Sequence, residues 1–122
     1  MSDSKARAGI FYLKIDGVQR DAKGEFTYNL GRPLREPIIG ASSVHGYKTE
    51  VQAPRIEGVI TDSGNLSVDD ILNVTNATIT LELQNGKVII LKNAWYAGEG
   101  DISTEEGEIE VLFHGLDAEE IR

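Results

Sequence analysis

The sequence predicts a mainly β fold: an antiparallel β-sandwich or barrel with one short flanking α-helix and a long inter-strand loop or hairpin. Three observations predict it. Short segments alternate apolar and polar residues, as in ATITLEL at 77–83 and EIEVLFH at 108–114. Thirteen glycines in 122 residues favour turns over long helices. One brief stretch after Ser67 carries helical spacing.

In chain order, GIFYLKI at 9–15 alternates Phe11, Leu13 and Ile15 and ends at the turn pair Asp16-Gly17. EFTYNL at 25–30 puts Phe26, Tyr28 and Leu30 on one face. Val44 to Val51 reads as a strand or as part of a long hairpin, and RIEGVIT at 55–61 as a strand whose Gly58 marks a bulge or a close approach. Asp62-Ser63-Gly64-Asn65 breaks it. Ser67 is placed to cap a helix from Val68 to Val74, with Asp69 and Asp70 in its first turn and Val68, Ile71 and Leu72 on one face. The alternating segment that follows reaches Asn85-Gly86, the pair favoured in a type I′ hairpin turn. Val88 to Leu91 are four apolar residues in succession, which predicts burial on both faces or a face that meets another subunit. Trp95 is expected as a core anchor. The total is about six to eight strands in a single domain spanning the chain. Residues 1–8 are expected as a flexible N-terminal arm and 116–122 as a polar C-terminal tail.

Residues 32–58 stand apart. They hold all three prolines, Pro33, Pro37 and Pro54, and no sustained period. Loops longer than about 12–15 residues are uncommon in compact domains and are usually functional or disordered.

The net charge of −8 is carried by one end. Residues 1–98 hold 11 acidic and 11 basic side chains, while 99–122 hold nine acidic ones against Arg122 alone. Such a chain does not bind nucleic acid through phosphates, which requires clustered Lys and Arg. The absence of cysteine removes disulfides, thiolate metal sites and thiol nucleophiles, and fits a reducing compartment. No run approaches the roughly 18 apolar residues of a membrane span, so no membrane insertion is expected. Catalytic signatures are also missing. His45 lies near Ser42 and Ser43, but no nucleophile elbow, metalloprotease motif or phosphate-cradling loop accompanies it. Glu99, Asp101, Glu105 and Glu106 are acidic without the spaced ligand loop of a calcium site. No enzyme activity, cofactor or metal is expected.

Two blocks, VHGYKTEVQAPRIEGVITDSGNLSVDDIL at 44–72 and TNATITLELQNGKVIILKNAWYAGEGDISTEEGEIEVLFHG at 75–115, carry a resemblance. Its features are Gly46-Tyr47 after His45, Ile56-Glu57-Gly58 entering Ile60-Thr61-Asp62, the Leu-Gln-Asn-Gly hairpin at 83–86, and Asn93-Ala94-Trp95. In order and spacing, over residues 9–115, they resemble the Mu-like family of phage tail tube proteins.

The resemblance implies a self-assembling structural subunit. Hexameric rings of it would stack into the inner tube of a contractile tail in the virion, assembled in the host cytoplasm. Partners would be further copies, the sheath, the baseplate or tail initiator, the tape-measure protein and the tail terminator. DNA would pass through the tube without specific binding. The 32–58 segment resembles the extended element that reaches a neighbouring ring, so Arg32, Arg35, Ile38, Ile39, Val44, His45, Tyr47 and Lys48 are the candidate stacking residues. The cations among them are expected to meet acidic groups of a neighbour's 99–122 end. Carboxylates in the bore would repel DNA, and Asp16, Asp21, Glu82, Glu108 and Glu110 are the candidates to face it. Two other readings compete: a tube subunit of a tailocin or type VI-like secretion system, and a monomeric β-sandwich binding domain or enzyme built around His45.

Overall fold

The computed structural model describes residues 10–20, 22–62, 67–105 and 107–122. The expected N-terminal arm, the turn at 63–65 and the candidate Asp21 lie outside them. The strands are β1 (Ile10–Ile15), β2 (Val18–Arg20), β3 (Ala22–Asn29), β4 (Leu34–Ile39), β5 (Val44–Glu50), β6 (Arg55–Thr61), β7 (Ala77–Leu83), β8 (Val88–Tyr96), β9 (Ile102–Ser103), β10 (Glu108–His114) and β11 (Asp117–Ile121), with one helix, α1 (Val68–Leu72). All pairings among them are antiparallel. The mainly β expectation with one short helix holds. The strand number exceeds the expectation because β2, β9 and β11 are too short or too polar to show an alternating pattern.

β2, β1, β7, β8 and β11 form a first sheet; β3, β6 and β10 form a second, with β9 on β10. Strand β8 serves both. Up to Lys92 it pairs with β11 and β7, Ala94 still meets Ala77 of β7, and its last two residues pair with β10 through Trp95↔His114 and Tyr96↔Phe113. The passage between sheets falls at Asn93, which has φ 52°. The β7–β8 register shifts there by one extra residue in β8, the mark of a bulge that bends a strand. Asn93 Nδ2 donates to Asn76 Oδ1 at 2.8 Å across the bend.

The inner faces of both sheets make one core. Leu13, Ile15, Ile79, Leu81, Leu83, Ile89 and Leu91 come from the first sheet, and Ile56, Ile60, Ile109, Val111 and Phe113 from the second. Ile71 of α1 joins them. Each large side chain so buried stabilises the fold by about 1.5–3 kcal/mol relative to exposure. Phe26, Tyr28 and Leu30 pack against this core from one face of β3, as their alternation predicts. Opposite the β3 bulge, a Cβ on Gly58 would sit 2.5 Å from the Phe26 ring, which explains the glycine inside β6.

The helix begins where its cap residue predicts, with Ser67 Oγ accepting from the Asp70 amide at 3.4 Å. Asp16 and Gly17, at φ 52° and 84°, turn β1 into β2.

Three local expectations are corrected. The hairpin at 83–86 is not a type I′ turn. The Gly86 amide donates to Leu83 O at 3.1 Å, the Leu83 amide to Lys87 O at 2.9 Å, and of Asn85 and Gly86 only Gly86 has positive φ. This is the three-residue loop that ends in a glycine bulge, with Asn85 Oδ1 accepting from the Lys87 amide. Trp95 is half-buried on the outer face beside His114, with ring centroids 6.2 Å apart, because the bulge at Asn93 leaves Ala94 as the inward residue. The polar 116–122 segment contains β11, which adds to β8; Ala118 turns inward while Glu119 and Glu120 pair with Lys92 and Lys87.

The four apolar residues of β8 divide between faces. Ile89 and Leu91 are buried, whereas Val88 and Ile90 are half-buried on the outer face. There they lie in the same sheet as the Lys14–Glu82 and Lys92–Glu119 ion pairs.

Candidate assembly surface

β4 and β5 pair with each other alone, as a two-stranded ribbon outside the main sheet. The segment expected as a loop or hairpin over 32–58 is therefore a hairpin arm built on β4 and β5, while its last residues, 55–58, belong to core strand β6, where Ile56 is buried. The arm leaves the second sheet where β3 ends and β6 begins, at the Asn29↔Arg55 pair. Its root is tied. Gln52 Nε2 donates to Arg32 O at 2.8 Å, the Gly31 amide to Asn29 Oδ1 at 2.8 Å, and the Gly115 amide to the carbonyl of buried Pro54 at 3.2 Å. At the tip, the Gly40 amide donates to Ser43 O at 2.7 Å.

Every residue of β5 is exposed, and all but Glu36 of β4. The arm thereby presents Leu34, Ile38, Ile39, Val44, Tyr47 and Val51 to solvent, with Ile39 66% and Tyr47 59% exposed. A single exposed apolar side chain is ordinary, but a ribbon of them marks a surface that meets something else.

The register sorts the arm into two faces. Arg35 and Pro37 lie opposite Thr49 and Tyr47, and the Ile39↔Val44 pair continues this side past a bulge. Here the Arg35 guanidinium sits 5.4 Å from the Tyr47 ring centroid. The other face carries Leu34 opposite Glu50 and Glu36 opposite Lys48. Glu36 has its carboxyl raised above the ordinary value by a hydrogen bond with the Glu50 side chain, and then by burial. Arg35 and Lys48 thus sit on opposite faces. His45 lies at the arm tip, its ring against Gly40, where a Cβ would be blocked.

A second feature occupies the outer face of the second sheet. A hollow of about 520 Å³ is lined by Glu25 and Thr27 of β3, Glu57 and Val59 of β6, and Glu110 and Leu112 of β10. Tyr96 at the end of β8, and Glu99 and Asp101 in the segment after it, complete the lining. The Tyr96 hydroxyl accepts from the Gly100 amide at 3.2 Å and donates to Glu110 O at 3.4 Å, which holds the acidic segment against the sheet. Among the described side chains, Arg55 alone forms an ion pair with this group, to Glu57 at 3.4 Å. Sequence reading misses the hollow because it depends on strand register, which brings Glu25, Glu57 and Glu110 together from distant positions.

The carboxylates proposed for a bore are dispersed. Asp16 Oδ1 accepts from the Thr78 amide at 2.8 Å within the β1–β2 turn. Glu82 pairs with Lys14 at 3.5 Å on the outer face of the first sheet, whereas Glu108 and Glu110 belong to the second. Among the described residues, no group of three or more His, Asp or Glu is arranged to hold a metal ion. No described helix is long and apolar enough to cross a membrane. His45 does not line the hollow.

A β-sandwich core that carries an arm of largely exposed side chains, several of them large and apolar, defines a class of subunit with surface suited to meeting other chains. The chain belongs to the phage tail tube family: the family model for phage tail tube protein matches residues 4–120. Over 106 residues it is 26% identical to the tail tube protein of Escherichia phage Mu, covering 87% of each chain. Over 114 residues it is 24% identical to the Mu-like prophage FluMu tail tube protein of Haemophilus influenzae, covering 93% of this chain and 95% of that one. The chain is accordingly a structural tail protein of a bacteriophage.

Proposed function

We propose that this chain is a non-catalytic ring-forming subunit that builds the inner tube of a contractile phage tail. Hexameric rings stack head to tail, and each subunit's arm reaches a subunit of the next ring. The observation that carries this reading is the arm: a rooted ribbon of exposed apolar side chains, unpaired with the main sheet, on a chain whose own core is complete. Head-to-tail contacts generate filaments because one surface meets a different surface of the next copy. Arg32, Arg35, Ile38, Ile39, Val44, His45, Tyr47 and Lys48 are the stacking residues in this proposal. Assembly proceeds in the host cytoplasm from a baseplate or tail initiator, around a tape-measure protein, inside a sheath, and ends at a terminator. The phage and prophage origin of the relatives favours a genome-delivering tail over a tailocin or secretion tube.

The bore is acidic in this proposal and passes DNA without binding it, since each copy carries −8. Because Glu82 and Glu108 stand on different sheets and neither lines the hollow, reversal to Lys at one of them at a time assigns the wall. The face that lines the bore is the one whose reversal hinders DNA ejection from tails that still form.

Electron microscopy of the purified chain across a concentration series, with mass by light scattering and a tail initiator complex added, tests the proposal. Rings or hollow tubes are the expected result. A chain that stays monomeric even with the initiator overturns it.

A further inference from the structure

We infer that the arm face carrying Arg35 and Tyr47 docks into the acidic hollow of a second copy of this chain, a pairing that rests on the tube reading and supplies its receptor. The arm offers two unlike faces. One presents Arg35, Pro37, Ile39 and Tyr47 without a carboxylate; the other sets Glu36 and Glu50 beside Lys48. The hollow presents Glu25, Glu57, Glu99, Asp101 and Glu110 around the apolar surfaces of Val59 and Leu112. Like charges across an interface cost several kcal/mol, so the hollow rejects the Glu36–Glu50 face and accepts the Arg35 face. Charge complementarity therefore selects which side of the ribbon faces down, a choice that the arm's exposure alone leaves open.

Shape and position agree. Arg35 already lies over Tyr47, so the guanidinium and the ring enter as one preformed unit and lose little side-chain freedom on docking. At about 520 Å³ the hollow suits side chains rather than a whole strand. The arm leaves β3 and β6 at the Asn29↔Arg55 end, and the hollow lies farther along the same two strands, at Glu25, Glu57 and Val59. Donor and receptor are thus different surfaces of the subunit, the heterologous arrangement that a head-to-tail contact uses.

The chain has no cysteine, so introduced thiols report on this contact without background. Tubes of the double variant Thr49→Cys/Leu112→Cys, with Thr49 on the Arg35 face of the arm, oxidised and run on a denaturing gel, should give a ladder of covalent multimers. The control Lys48→Cys/Leu112→Cys, from the opposite arm face, should give none. Val59→Cys replaces Leu112→Cys if the latter impairs folding. Arg35→Glu should abolish tubes without lowering the melting temperature, and Glu110→Arg in the same chain should restore them. A ladder from the Lys48 control instead, or tubes that give no ladder from either pair, overturns the docking and leaves the tube reading intact. A wild-type chain that never polymerises overturns the tube reading and the docking with it.

Discussion

Arg35 and Tyr47 are diagonal neighbours on one face of the arm's two strands, the guanidinium carbon 5.4 Å from the ring centroid, and both are exposed. An exposed cation–π contact is worth about 0.5–1 kcal/mol. It orders the ribbon locally and adds nothing to the core. The arm and the sandwich are therefore separable in energy, joined at the root where Gln52 meets Arg32 and Gly115 meets Pro54.

Replacing residues 33–53 with a short Gly/Ser linker should leave the sandwich folded. The buried core contains no arm residue, so thermal denaturation should stay cooperative with a nearly unchanged midpoint. Tubes and rings-on-rings should vanish from micrographs. A chain that fails to fold without its arm would show that the ribbon is part of the core's stability.

Phe113→Ala should destabilise the chain by about 3–5 kcal/mol, because it empties the largest fully buried side chain of the core. Denaturant unfolding measures this directly. Assembly should fall in proportion to the folded fraction, unlike the Arg35 variants, which should lose assembly while fully folded.

Gly58→Ala should cost about 1–3 kcal/mol by overpacking, since the new methyl meets the Phe26 ring. The double variant Gly58→Ala/Phe26→Leu should recover part of that loss. Additive losses in the unfolding free energy would show that the ring is not the obstacle.

The Glu36–Glu50 pair should make arm order depend on pH. The folded ribbon holds the Glu36 proton more tightly than an open one, so its value is raised. That contribution is fully present below the ordinary carboxylate range and is lost as pH rises through the raised value. Amide protection of the arm, normalised to intrinsic exchange, should therefore decline from acid towards neutral pH. Glu50→Gln should flatten the decline. Equal protection at both ends in the wild type would remove the pair from any role in ordering the arm.

Much of the fold is legible in local chemistry. Alternation at 77–83 and 108–114 locates β7 and β10 because side chains on a strand point alternately to core and water. Ser67, with Asp69 and Asp70 behind it, marks the helix start because its Oγ accepts from the Asp70 amide. Other features are invisible locally. Trp95 points outward because of a bulge two residues earlier, and no apolar count reveals a bulge. β11 reads as a polar tail because its partner, β8, supplies the order that its own residues do not.

By itself the sequence determined that the chain is a mainly β domain, where the alternating core strands lie, where charge collects, and that residues 32–58 hold a long stretch without a sustained period. These are properties of neighbours along the chain: period, turn chemistry and composition. The tertiary structure decided that this stretch holds a two-faced ribbon, that Arg35 and Lys48 stand on opposite sides, and that carboxylates from β3, β6, β10 and the segment after β8 converge on one hollow. Those depend on register between distant strands, where a shift of one residue turns every side chain to the other face.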